Sequence, residues 1–141
     1  MTTMSQGQGS HLVATSAFDA WHLLTAADVA RVAWLSPEGV SIVPVNCVAA
    51  DGALWFRTTP QSAIAQGAAG TEVAVEADYL DPVSRTGWSV VLRAVVHLVD
   101  PELAPDSVSQ LCIWPEGQRN VYVRLEPTEV SGRRLVSRPG A

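Results

Sequence analysis

Along the chain the spacing of apolar positions switches between the periods of helix and strand, and each switch marks an element. Ala20, Leu23, Leu24 and Ala27 recur at helical spacing, and Ser16 with Asp19 three residues on opens that segment as a capping pair. Residues 29–35 predict a first strand, closed by the turn Ser36-Pro37-Glu38-Gly39. Residues 40–49 predict a second, and Asp51-Gly52 turns the chain into a third that ends at Thr58. The strict alternation of Glu72-Val73-Ala74-Val75-Glu76 is that of a strand with one wet face. After a loop over 81–86, residues 88–99 are apolar at nearly every position, which predicts a long strand buried on both faces. Asp100-Pro101-Glu102 combines an N-cap, a proline at the first helical position and an acid in the first turn, predicting a helix to about Cys112. Residues 120–126 alternate again, and 128–136 form a last strand.

Between the third strand and the next lies the segment richest in candidate chemistry. Thr59 fits an N-cap, Pro60 the first helical position and Gly67 the stop of a helix of about two turns. Such a junction directs free backbone N–H groups and the positive end of a helix dipole at one point. With the hydroxyls of Thr58, Thr59 and Ser62 there, and Arg57 one residue back, that point suits a phosphate or carboxylate. The same spacing also describes an ordinary strand-to-helix turn with polar caps.

The count of strands, with two or three short helices and mostly hairpin connections, predicts a mainly β (α+β) fold built as a small barrel. A chain of 141 residues with 48% hydrophobic content is long enough for one domain with a real core. We place that domain at 15–136, with a disordered tail over 1–14 and a frayed end over 137–141. Only 16% of residues are charged, which implies that part of the surface is covered by a partner subunit. A net charge of −5 without any basic run excludes a nucleic-acid partner. All nine basic residues are arginine, so lysine chemistry (a Schiff base, a P-loop lysine) is excluded. No run reaches the roughly 18 apolar residues of a membrane span, and the polar start does not read as a signal peptide, which places the chain in the cytoplasm. Cys47 reads as a small core residue; neither it nor Cys112 has metal-ligand spacing, and His11, His22 and His97 are scattered. Trp34, Trp55 and Trp88 have the rings to stack on a planar ligand, with core packing the default for each.

The order of these elements resembles the pyridoxamine 5′-phosphate oxidase-like proteins, the flavin-binding split barrels. The likeness is carried by Val32-Ala33-Trp34-Leu35, Val43-Pro44-Val45-Asn46, Trp55-Phe56-Arg57-Thr58, Thr86-Gly87-Trp88-Ser89-Val90-Val91-Leu92-Arg93 and Gly132-Arg133-Arg134-Leu135. It implies a split barrel of about six to seven mostly antiparallel strands, assembled as a homodimer with flavin sites, usually for FMN, at the subunit interface. By that resemblance Val43, Pro44, Val45 and Asn46 run along the flavin ring, and Thr58, Thr59 and Ser62 bind its phosphate, with Arg57 as an added charge. Trp88 and Ser89 reach the cofactor from the other subunit, and Trp114 and Arg119 approach the ring or its substrate. Where well-known members carry an arginine and a lysine after the phosphate-binding serine, this chain has Ala63 and Ile64. That departure leaves room for the deazaflavin F420. The implied activity is a flavin-dependent oxidoreductase acting on an unknown small molecule; the other class is a non-catalytic flavin carrier or degenerate binding module. Flavin chemistry resides in the ring, which agrees with a sequence that offers no nucleophile–base pair.

Overall fold

Ser16 Oγ accepts the Asp19 N–H at 3.1 Å and caps helix α1 (Ala17–Thr25), which turns Ala20 and Leu24 into the core. The computed structural model describes residues 9–137, and around this helix it curls an eight-stranded antiparallel sheet into a half-barrel. The strands are β1 (Ser10–Ala14), β2 (Val29–Ser36), β3 (Gly39–Asn46), β4 (Val48–Ala50), β5 (Ala53–Thr58), β6 (Glu72–Asp81), β7 (Thr86–Val99) and β8 (Val121–Ser137). Their order across the sheet is β3-β2-β6-β7-β8-β5-β4, with β1 paired to the far end of β8. Two further short helices, α2 (Ala63–Gly67) and α3 (Asp106–Ser109), decorate it. No helix among the described residues is long and apolar enough to cross a membrane.

Period-two patterning decides which face is buried. Val73, Val75 and Ala77 of β6 alternate with outward Glu72, Glu76 and Asp78, and Val90, Leu92, Ala94 and Val96 of β7 point the same way. With Val32, Leu54, Phe56, Val123 and Leu125 they form the barrel core; full burial of such a side chain stabilises by about 1.5–3 kcal/mol. A second, smaller cluster of Ala53, Trp55, Val108 and Tyr122 lies on the opposite face, under α3.

Several sequence expectations hold. The Asp51-Gly52 turn has both residues at positive φ, 51° and 73°, as a type I′ hairpin requires. Cys47 is buried, which pushes its thiol up to about 11, with Asp28 adding to the effect, and both cysteines are free.

Others need correction. Residues 10–14 of the expected tail are a strand, since β8 offers Arg133–Ser137 as an unpaired edge and β1 takes it; residues 1–8 and 138–141 lie outside the described chain. The predicted second strand divides at Cys47 into β3 and β4, which pair with different neighbours. The helix expected from Asp100 divides too: Asp100 caps only a 3-10 turn, Pro101–Leu103, because Pro105 holds Ala104 extended at ψ 151°. The last two predicted strands are one: Ala94 pairs with Pro127 and Arg93 with Glu129, so Thr128 is the extra residue of a bulge. Its Oγ1 donates to the Arg93 carbonyl at 3.0 Å, and the bulge accommodates the proline. β7 turns one face into the barrel; Val91 on the other, the face expected to meet a second subunit, is 36% exposed in the single chain.

Candidate ligand-binding site

At Cys47 the chain forks. Its N–H donates to the Asp28 carbonyl at 3.2 Å, beside the β2–β3 pair that runs back from Asn46 and Val29. One residue later β4 pairs with β5 instead, Val48 opposite Trp55. Past the end of this short hairpin the second half of β5 has β8 on one side and no ladder on the other, and β3 likewise pairs only with β2. The edge position is also why Pro44 is tolerated within a strand.

A cleft of about 380 Å³ occupies the gap between these two strands, within the range of roughly 300–1,000 Å³ usual for small-molecule sites. Val43, Pro44, Val45 and Asn46 form one lip and Phe56, Arg57 and Thr58 the other. Trp34 closes the base, and the loop after α3 adds Ile113, Pro115 and Arg119. Ser62, Ala63 and Ile64 complete the polar end. The lining carries two arginines and no carboxylate, histidine or cysteine.

The hydroxyl-rich end differs from its sequence expectation. Ser62, not Thr59, is the N-cap: its Oγ accepts the Ala65 N–H at 3.2 Å, while the Thr59 carbonyl accepts the Ser62 N–H at 3.1 Å to make a preceding turn. The helix is therefore five residues long, and its dipole is correspondingly slight. Thr59 is not part of the lining. Ser62 accepts only one bond, which leaves its O–H free to donate into the cleft.

Arg57 is also corrected. It lines the cleft, but its guanidinium is spent on the α3 end: Nη1 donates to the Ser109 carbonyl at 3.0 Å and Nη2 to that of Leu111 at 3.4 Å. Its head also lies 5.6 Å from the centre of the Tyr122 ring. The Ser109 hydroxyl, then Arg57, hold the Tyr122 phenol below its ordinary value. Arg119 Nη1 donates to the Glu116 carbonyl at 2.9 Å and stays at the cleft wall.

The other sequence-assigned residues lie elsewhere. Trp114 is 69% exposed and borders a neighbouring cavity with Asp28, Cys47 and Cys112. Trp88 and Ser89 pair with Arg134 and Arg133 on β7–β8, away from the cleft of their own chain. Trp55 is packed in the second cluster, with Nε1 donating to the Ala50 carbonyl at 3.0 Å. His97 faces Glu126 at 3.6 Å, and His22 Nδ1 donates to the Phe18 carbonyl at 3.0 Å; neither enters the cleft. Phe56 escaped assignment because alternation puts it and Trp55 on opposite faces, both buried, without marking which of the two lines the cleft. Ile113 and Pro115 sit in irregular chain, where no period marks a wall residue.

The family profile of pyridoxamine 5′-phosphate oxidase matches residues 16–134. The chain belongs to the pyridoxamine 5′-phosphate oxidase family. An uncharacterised protein of Mycobacterium tuberculosis is 37% identical to this family member over 125 residues, covering 84% of this chain and 82% of the relative. The structure of an FAD-binding protein from Mycobacterium smegmatis is 28% identical with a TM-score of 0.72, covering 87% of this chain and 97% of that one. An FAD-binding protein from Mesorhizobium loti shares the fold at 22% identity, with a TM-score of 0.71 over 90% of this chain and 98% of the other. The split-barrel fold and the family are thus both established for this pyridoxamine 5′-phosphate oxidase family member.

Proposed function

We propose that this chain binds a flavin, FMN in the first instance, in the cleft between β3 and β5, and that a second copy of the chain completes the site for redox chemistry on a small molecule. The observation that carries the reading is the cleft's lining: an aromatic and aliphatic wall, hydroxyl donors at one end, and cationic groups unopposed by any carboxylate. A planar ring with an anionic tail matches that division. Trp34, Val43, Val45, Phe56 and Ile113 would exclude water from the ring, and Thr58 and Ser62 would donate to the phosphate, with Arg119, held through Nη1 by the Glu116 carbonyl, as the cation of the loop wall. The bound ring would supply hydride or electron transfer. No side chain of the lining exchanges protons near neutral pH, so this cleft positions and desolvates without acid–base help of its own.

FAD is the second reading, favoured by the FAD-binding relative of 28% identity. Titration calorimetry with FMN, riboflavin, FAD and F420, beside the visible spectrum of freshly purified protein, separates the possibilities. With neutral donors worth about 0.5–1.5 kcal/mol each, we expect FMN to bind about ten- to a hundredfold more tightly than riboflavin, roughly 1.4–2.8 kcal/mol. Thr58→Val, which keeps the shape and removes the hydroxyl, should narrow that ratio severalfold. FAD exceeding FMN by tenfold or more would give the site to the dinucleotide; binding of F420 alone, or of none of the four, would overturn the flavin reading.

A further inference from the structure

Residues 110–120, between α3 and β8, are irregular, yet they supply Ile113, Pro115 and Arg119 to the cleft wall. Fixing such a segment costs conformational entropy, so its placement needs specific anchors. Two side chains provide them, one from each lip. Arg57 of β5 holds the root of the loop through the Ser109 and Leu111 carbonyls. Asn46, the last residue of β3, accepts the Trp114 N–H on Oδ1 at 2.9 Å, a contact between residues 68 apart in the chain. A backbone N–H requires an acceptor, which fixes the orientation of that amide.

Resting on the reading that the cleft takes a flavin, we propose that Asn46 is a positioning residue: its amide oxygen clamps the loop at Trp114 and so sets where Ile113 and Pro115 stand against the ligand. The clamped residue lies between the two wall residues, so release of this one bond frees both together. Arg57 at the root cannot substitute for it, because its bonds end at Leu111. Trp114 itself points away, its side chain exposed. Its contribution to the site is therefore its backbone.

The clamp needs only an acceptor at position 46, whereas a direct contact from Asn46 to the ligand through its NH2 would need a donor. Asn46→Asp keeps the first and removes the second; Asn46→Ala removes both. Riboflavin is the probe, because it carries no charge for the new carboxylate to repel. We expect Asn46→Ala to weaken riboflavin about five- to tenfold, and Asn46→Asp to restore affinity to within about twofold of the parent. Amide hydrogen exchange in ligand-free protein gives the independent readout: Trp114 should exchange severalfold faster in Asn46→Ala and at the parent rate in Asn46→Asp. Equal losses of affinity in both variants would mean that Asn46 meets the ligand directly, and an unchanged Trp114 exchange rate in Asn46→Ala would mean that there is no clamp; either overturns the proposal. If the parent protein binds neither riboflavin nor FMN nor FAD, the flavin reading falls while the exchange rates still decide the clamp; if it binds only the phosphorylated flavins, the exchange rates alone decide the clamp.

Discussion

Glu76 illustrates how much a single position depends on neighbours that sequence separates. It stands opposite Arg31 on β2, whose Nη1 lies 3.1 Å from its carboxyl and 3.8 Å from that of Asp78. Burial, then the hydrogen bond and charge of Asp78, raise the Glu76 carboxyl to about 7; Arg31 pulls the other way but serves two carboxylates at once. The fold thus keeps a proton that the unfolded chain gives up near 4.5, so stability falls as pH rises from about 4.5 to about 7. Glu76→Gln should flatten that limb and add about 1 kcal/mol above pH 7, once screening of this partly exposed group is allowed for. Urea unfolding at pH 5 and pH 8 checks it: an equal pH response in both proteins would refute the assignment. The same scale explains the misplaced cap. Thr59 and Ser62 are both competent N-caps three residues apart, and propensity alone does not choose between them. The choice falls to tertiary context, since Ile64, two residues after the true cap, must reach the core.

At the scale of elements, patterns confined to one strand or turn were legible and those created by pairing were not. The α1 cap, the β6 alternation and the Asp51-Gly52 hairpin are local and read directly. The unity of β8 is not local: Pro127 looks like a strand terminator until the bulge opposite Arg93 and Ala94 absorbs it. Strand β1 carries no strong signal and exists because β8 outruns its other partner. Gly87 belongs with these hidden constraints. A Cβ there would lie 2.0 Å from the Tyr79 carbonyl oxygen, on a backbone at φ +155°. We expect Gly87→Ala to destabilise by about 2–4 kcal/mol through strain in the β6–β7 pair, read as a shift in the urea midpoint at constant slope. A change below about 0.5 kcal/mol would show that the strands part there at little cost.

For the molecule as a whole, the candidate site was legible as two lists of residues but not as one place. Val43–Asn46 and Arg57–Thr58 came from separate strands, and only the fork at Cys47 shows that they face each other. The roles of Arg57 and Thr59 were unreadable for the converse reason: which way a strand residue points at the end of a ladder depends on what packs beyond it. Assembly belongs to this scale too. Val91 on β7, with Leu35, Val40 and Ile42 along β2–β3, leaves the outer surface more apolar than a lone chain needs. We propose a homodimer that covers part of this surface and brings Trp88 and Ser89 to the partner's cleft. Light scattering at micromolar concentration should return twice the 15.0 kDa chain mass; a monomer would remove both the shared site and the role of these two residues.

A tube slit along its length resists bending nearly as a closed one does, yet twists readily, because no shear is carried across the cut. The gap between β3 and β5 is such a cut, and Cys47 stands at its tip, where the two margins become one strand path. Torsion about the barrel axis therefore moves the margins past each other while every ladder in the sheet stays intact. What ties the margins is the segment over 109–114, hydrogen-bonded to Arg57 on one and Asn46 on the other, so parting them would strain that segment and no ladder.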